Sequence, residues 1–263
     1  MDDDLGTPYL HFARRGPIAW CTIDRPHARN ALTAAMYLGI RRAVDRVNAD
    51  PDLYALVITG TGDVFAPGGE MGGRHDDDPD GIASGLGSDV LPFSSIRDSA
   101  SPVIAAVNGI CQGGGMMIAM LSDVAVASEE ATFRAPELLR GVADAWFAAV
   151  LPEHVGVARA RELMMTARRI DAAEAERIGL IASVVPRAEL PAAATRLAHS
   201  VLRAAPQARA QWKRIVNSRY GPIDHATFEA SIRSRECAEG FRAFVEKRPP
   251  DWVPQALRDE GSL

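Results

Sequence analysis

The sequence predicts an α/β fold, and three observations lead there. Short apolar runs without polar alternation recur between residues 18 and 127, as in strands covered on both faces of a largely parallel sheet. Stretches with apolar residues at helical spacing separate those runs, the alternation that builds an α/β layer structure. From Leu190 onward the strand-like runs stop and only helical patterns remain. The expected organisation is an α/β body over residues 1–195 followed by a helical C-terminal region over 196–263.

The elements follow in order. Ile18–Ile23 is the first expected strand, ended by the turn Asp24-Arg25-Pro26. Thr33 is placed to cap a helix reaching about Asn48, with Ala34, Leu38, Ile40, Ala43 and Val47 near helical spacing. Leu56–Thr59 is the second strand, closed by Gly60-Thr61-Gly62. Between Gly68 and Gly87 the run Gly72-Gly73-Arg74-His75-Asp76-Asp77-Asp78-Pro79-Asp80-Gly81 has almost no apolar residue and reads as a solvated loop. Its carboxylates lack the spacing and terminal Glu of an EF-hand. Val103–Val107 is the third strand, followed by Asn108-Gly109, a glycine run, a helix over Met116–Ser122 and a fourth strand over Val124–Ala127. Beyond it, Leu190–Arg203, Gln207–Ser218 and His225–Glu246 are the expected helices, with Pro206 and Gly221-Pro222 as breaks.

Composition excludes several classes. The 263 residues are 47% hydrophobic and 24% charged, which excludes a disordered or collagen-like chain. A net charge of −5 does not provide the basic footprint of a general nucleic-acid binder. The start Met1-Asp2-Asp3-Asp4 lacks the basic leader of a signal peptide. The longest apolar stretches, Pro102–Val107 and Met116–Leu121, fall far short of the ~20 residues of a membrane span. A soluble cytoplasmic protein is therefore expected. Cys21, Cys111 and Cys237 are odd in number and lack CxxC spacing, so reduced thiols are expected. The histidines His11, His27, His75, His154, His199 and His225 are scattered, with no HExxH, and no metal site is expected. No G-x-S-x-G elbow is present.

The chemistry rests on two glycine-rich turns and one carboxylate. Phe65-Ala66-Pro67-Gly68-Gly69-Glu70 follows the second strand, and Gln112-Gly113-Gly114-Gly115-Met116 lies between a strand and a helix. Glycine lets the backbone approach a ligand closely, and a turn entering a helix exposes unpaired N–H groups. Two such turns can aim two donors at one developing oxyanion. Taken singly, each reads equally as a plain tight turn, since neither GxGxxG order nor a P-loop lysine is present. The carboxylate is Glu137, just after Pro136, where first-turn dipole compensation is the alternative reading.

The ordered set Ile23-Asp24-Arg25-Pro26, Arg29-Asn30-Ala31-Leu32, Thr59-Gly60, Phe65–Glu70, Ala106-Val107-Asn108-Gly109, Gly113-Gly114-Gly115, Ser122-Asp123, Phe133, Pro136-Glu137 and Gly141 resembles the enoyl-CoA hydratase/isomerase (crotonase) family. So does Glu239-Gly240-Phe241-Arg242-Ala243-Phe244-Val245-Glu246-Lys247-Arg248-Pro249, and the similarity spans about residues 8–250. The resemblance implies a crotonase-like spiral of ββα units with a helical C-terminal region that builds trimers, usually paired into hexamers. It implies an acyl-CoA thioester substrate, no cofactor beyond the CoA carried by that substrate, and no nucleic-acid or membrane partner. The N–H groups of Gly69 and Gly114 would bind the thioester oxygen, with Pro67, Gly68 and Glu70 beside it. Arg29 and Ala31 would lie along the CoA nucleotide, and Phe244 and Lys247 would reach CoA, often from a neighbouring subunit. Arg25, Arg29 and Lys247 would offset its phosphates.

One departure from the family pattern decides the expected reaction. The family's hydratases use two glutamates; Glu137 matches one, but the other position is Met117. A thioether moves no proton, so Met117 reads as helix core or as an apolar wall of the acyl pocket. Double-bond isomerases of the family shuttle a proton between C2 and C4 with one glutamate at the position Glu137 fills. Isomerisation is therefore placed ahead of hydration, with a catalytically weak acyl-CoA-binding member as the third reading. Asp144, seven residues after Glu137, is a possible second acid. Glu70 is expected at a helix cap or in solvent. Pocket walls are expected from Gly81–Phe93 and Trp146–Val150.

Overall fold

In the computed structural model, which describes residues 4–70 and 90–258, the continuous apolar runs lie side by side in one sheet. Its strands are β1 (Leu10–Arg15), β2 (Ile18–Ile23), β3 (Ala55–Gly60), β5 (Val103–Val107), β7 (Val124–Ser128) and β10 (Ser183–Val185), in that spatial order. β1 pairs antiparallel with β2; every later pairing is parallel. β5 is buried at every position and β2 at all but one. That burial on both faces is why these strands show no alternation.

A smaller sheet holds β4 (Val64–Ala66), β6 (Ile110–Gln112), β8 (Thr132–Arg134) and β9 (Ile170–Asp171). The two sheets are filled by a repeating step. β3 enters the large sheet, β4 the small one, and the chain reaches helix α2 (Phe93–Asp98). β5, β6 and α3 (Gly114–Leu121) repeat this, as do β7, β8 and α4 (Ala145–Val155). This is the expected spiral of ββα units.

Between the sheets lies the main core, which includes Met36, Ile40, Leu56, Ile58, Phe65, Phe133, Phe147 and Leu151. Helix α1 (Ala34–Ala49) supplies the first two, and Thr33 Oγ1 caps it by accepting from the Met36 amide at 3.2 Å. After α4 come α5 (Val157–Thr166) and α6 (Ala172–Arg177). A second core forms on the other face of the large sheet, where Leu190, Ala193, Ala194 and Ala198 of α7 (Leu190–Val201) cover Trp20, Val57, Ile104 and Val126. The remaining helices are α8 (Pro206–Asn217), α9 (His225–Ile232), α10 (Arg235–Val245) and α11 (Gln255–Arg258).

The structure differs from the sequence expectations at several points. α7 runs through residue 195, so the expected boundary cuts a helix that belongs to the sheet's core. The expected helix over His225–Glu246 is two helices, because Ser234 Oγ accepts from the Cys237 amide at 3.0 Å and starts a new one. α3 begins at Gly114 rather than Met116, so the glycines themselves form its first turn. The acidic run of residues 72–81 lies outside the described residues. No helix among the described residues is long and apolar enough to cross a membrane.

Candidate active site

Both glycine-rich turns converge on one cavity of about 100 Å³ that opens to solvent. Pro67, Gly68, Gly69, Glu70, Gly113 and Gly114 line one side. Gly69 is fixed by a short parallel bridge to Leu32, in which the Leu32 amide donates to Gly68 O and the Glu70 amide to Leu32 O, each at 2.9 Å. The Gly69 amide itself donates to no acceptor among the described residues. Gly114 is the first residue of α3, a position whose N–H has no partner within the helix. Gly68 has φ +104°, and a Cβ there would sit 3.4 Å from the Gly114 nitrogen, so the two turns abut. Two unpaired amides, one at the positive end of a helix, therefore border the same space.

Opposite them stands the turn that carries Glu137. Pro136 leads into a 3₁₀ turn over Glu137–Arg140, and Gly141 closes it at φ 69°. Glu137 lines the cavity, and its Oε1 lies 2.8 Å from where a Gly113 Cβ would be. Its Oε2 is buried with no hydrogen-bond partner. Burial first, then the neighbouring Asp144 carboxyl, pushes the Glu137 pKa well above the usual carboxylate range. Asp144 lines the same cavity while capping α4, with Oδ1 accepting from the Phe147 amide at 3.0 Å. Burial raises its pKa to about 6, against the opposing pull of the Phe147 and Trp146 amides. Besides Glu70, which is paired with Arg25, the cavity thus holds two acids, Glu137 and Asp144, rather than the single one on which the isomerase expectation was based.

Met117 is 1% exposed, belongs to the main core and does not line the cavity, so it is helix core and not a pocket wall. The apolar walls are Leu91, Phe93, Val142, Phe228 and Phe241. Leu91 and Phe93 fall in the expected 81–93 segment, of which residues 81–89 lie outside the described residues. Trp146 stacks edge-on against Phe93 from behind, at 5.4 Å between centroids.

Arg25 is not available for a phosphate. It is 4% exposed, and its Nη1 donates to Glu70 Oε2 at 2.5 Å and to Ala31 O at 3.1 Å. Glu70 is accordingly an ion-pair partner, not a helix cap. The Arg29 side chain is exposed, 4.0 Å from Asp63, and Ala31 beside it is half-buried. Lys247 is exposed, and Phe244 lies under the Arg140 guanidinium at 4.0 Å, outside the cavity lining.

Tyr37 was not singled out by sequence. It sits on the buried face of α1, where an aromatic at helical spacing reads as core, and it is 2% exposed. Its phenol oxygen nevertheless lies 2.1 Å from where a Gly114 Cβ would be and 3.6 Å from the equivalent point at Gly69. Burial, then Glu137 and Asp144, holds the phenol well above its ordinary pKa, so it remains protonated. Arg140 also lines the cavity and had no signal in the sequence beyond its place after Glu137.

The sequence matches the family profile described as enoyl-CoA hydratase/isomerase over residues 14–255. The chain belongs to that family. Among relatives, the mevalonyl-coenzyme A hydratase of Aspergillus fumigatus is 34% identical over 248 residues, covering 90% of this chain and 91% of its own. The carnitinyl-CoA dehydratase of Salmonella typhi is 34% identical over 258 residues, covering 92% and 97%. Of solved structures, an enoyl-CoA hydratase/isomerase from Pseudoalteromonas atlantica superposes with a TM-score of 0.80 at 28% identity, covering 93% of this chain and all of that one. A carnitinyl-CoA hydratase from Mycobacterium avium gives 0.77 at 32%, covering 94% and 99%. The crotonase fold and an acyl-CoA enzyme of this family follow.

Proposed function

We propose that this enzyme adds water across, or eliminates it from, the C2–C3 bond of an acyl-CoA thioester. The observation behind the proposal is that Asp144 shares the Glu137 cavity, supplying the second carboxyl that Met117 does not. In hydration the thioester oxygen accepts from the Gly69 and Gly114 amides, which stabilise the enolate that forms. Losing one such donor typically costs about 10²–10³ in rate. Ionised Asp144 takes a proton from water as its oxygen bonds to C3, and protonated Glu137 gives its proton to C2. The proton then returns from Asp144 to Glu137. Elimination runs the same steps backward. The raised pKa of each acid suits this division, because one proton is readily held between them. The hydratase and dehydratase names of the relatives point the same way. CoA enters only as part of the substrate, and no step needs another cofactor.

Isomerisation is the second reading, favoured by the apolar walls Leu91, Phe93, Val142, Phe228 and Phe241, which would keep water from a C2–C4 proton shuttle. Separate incubations with 2-enoyl-CoA and 3-enoyl-CoA distinguish the two. Loss of the conjugated-thioester absorbance from the first supports hydration, and its appearance from the second supports isomerisation. Neither signal, with CoA-thioester binding intact, marks a binding protein. Glu137→Gln is expected to lower kcat by about 10²–10⁴ while thioester affinity persists; an unchanged kcat removes Glu137 from the chemistry.

A further inference from the structure

Arg140 is a cavity-lining cation that makes no ion pair among the described residues. It sits three residues after Glu137 on the same 3₁₀ turn, and both line the cavity. In a 3₁₀ turn residues three apart are eclipsed, about 6 Å from each other along the axis. The guanidinium forms no ion pair among the described residues, unlike Arg25 with Glu70 or Arg248 with Glu239. Its one hydrogen bond among the described residues is a 3.5 Å contact from Nη1 to Leu139 O, and its Nε is buried with no acceptor there. Phe244 covers one face of the guanidinium at 4.0 Å, leaving the donors along its edge free. Glu137 makes no hydrogen bond or close ion pair with it, and only its charge, when ionised, acts on the guanidinium. Burial and the nearby Arg134 lower the Arg140 pKa to about 10, which still leaves it charged at neutral pH.

We propose that Arg140 recognises a carboxylate on the acyl chain, making the preferred substrate an acyl-CoA that carries a second carboxyl group. Arg rather than Lys suits such a site, because its planar fork binds a carboxylate through two donors.

The proposal rests on the reading of Glu137 as the group facing C2 and C3, and its test is chosen to be independent of turnover. Titration calorimetry compares glutaryl-CoA with valeryl-CoA, saturated thioesters of equal carbon number that cannot be hydrated. The wild-type enzyme is expected to bind glutaryl-CoA about 10- to 10²-fold more tightly, the range of a hydrogen-bonded charge. Arg140→Leu is expected to bring the ratio near one, and Arg140→Lys to keep part of it. Equal affinities in the wild type overturn the proposal without any variant. A ratio unchanged in Arg140→Leu, with both affinities weaker, also overturns it and assigns Arg140 to the CoA phosphates; glutaryl-pantetheine, which lacks the nucleotide, would then bind both proteins alike. A preserved preference in an enzyme that hydrates nothing upholds the carboxylate site and sinks the hydration reading alone.

Discussion

Glu137 and Asp144 are carboxyls for which burial disfavours ionisation, and the pair has consequences for both rate and stability. The proposed hydration needs Asp144 ionised and Glu137 protonated. The rate is therefore expected to rise with pH through about 6 and to fall at higher pH as Glu137 loses its proton. The apparent values belong to the pair. A pH–rate profile flat across that rise would place the base elsewhere. For stability, the folded pKa of about 6 lies above the ordinary 3.8. The folded chain then binds more protons than the unfolded one between those values, and stability declines as pH rises through that window. Asp144→Asn removes this penalty and still caps α4. It is expected to raise Tm at neutral pH by about 2–4 °C, to give little gain below the ordinary carboxylate pKa, and to abolish turnover. Tyr37 and Gly114 form a second coupled pair. Alanine at Gly114 would place a Cβ 2.1 Å from the phenol oxygen and 3.1 Å from the ring's Cζ. The phenol or the amide must move, and a misplacement of about 1 Å can cost ~10² in rate. Gly114→Ala is expected to lower kcat/KM by about that factor, and adding Tyr37→Phe, which deletes the offending oxygen, to recover part of it. Purely additive losses in the double mutant would show that the two do not collide.

At the scale of elements, the turn that carries Glu137 is held from behind by α10. A Cβ at Gly240 of α10 would meet Arg140 backbone atoms at 2.6 Å, and one at Gly141 would meet Glu236 backbone at 2.5 Å. Backbone presses on backbone at this crossing, so neither neighbour can swing aside. Glu239 beside it fixes the end of α10, accepting from Arg248 Nη1 at 2.5 Å and from the Asp251 amide at 3.0 Å. Phe241, the next residue along, lines the cavity. The Glu239-Gly240-Phe241 segment therefore anchors, contacts and lines in three successive positions. Gly240→Ala is expected to cost about 1–3 kcal/mol of stability through overpacking. It should also lower kcat more than it raises KM, because it shifts Glu137 without touching the amides proposed to bind the thioester. Thermal unfolding and steady-state kinetics on one preparation check both; a stability loss with kcat unchanged would detach α10 from the function of the turn. The N-terminus of α3 is built on the same plan, since a Cβ at Gly115 would lie 2.2 Å from Ala66 O.

For the whole molecule, what the sequence disclosed follows from where each signal is stored. β2, β3, β5 and β7 were legible because burial on both faces leaves uninterrupted apolar runs. β4, β6 and β8 have three residues each, too few for any period, so the second sheet was not foreseen. The glycine turns and Glu137 were found because their residue types are unusual in their setting. Asp144 was left open because its direction depends on how α4 packs, and Tyr37 because a phenol at a core position does not announce its target. Contacts between chains leave the opposite trace, apolar residues that a single chain does not cover. On α8, Trp212 is 66% exposed and Ile215 69%, and their i, i+3 spacing puts them on one face. Phe244 and Val245 on α10 are 45% and 60% exposed. We propose these exposed apolar residues as the place where chains associate, and the crotonase resemblance makes trimers, or trimers in pairs, the expected assembly. Sedimentation is expected to give three or six times the 28.2 kDa chain mass, and Trp212→Glu with Ile215→Glu a smaller species. A wild-type protein that sediments at 28.2 kDa at concentrations well above those of the assay would mean that one chain completes the site alone. An assembly unchanged by the two glutamates would move the interface to another face.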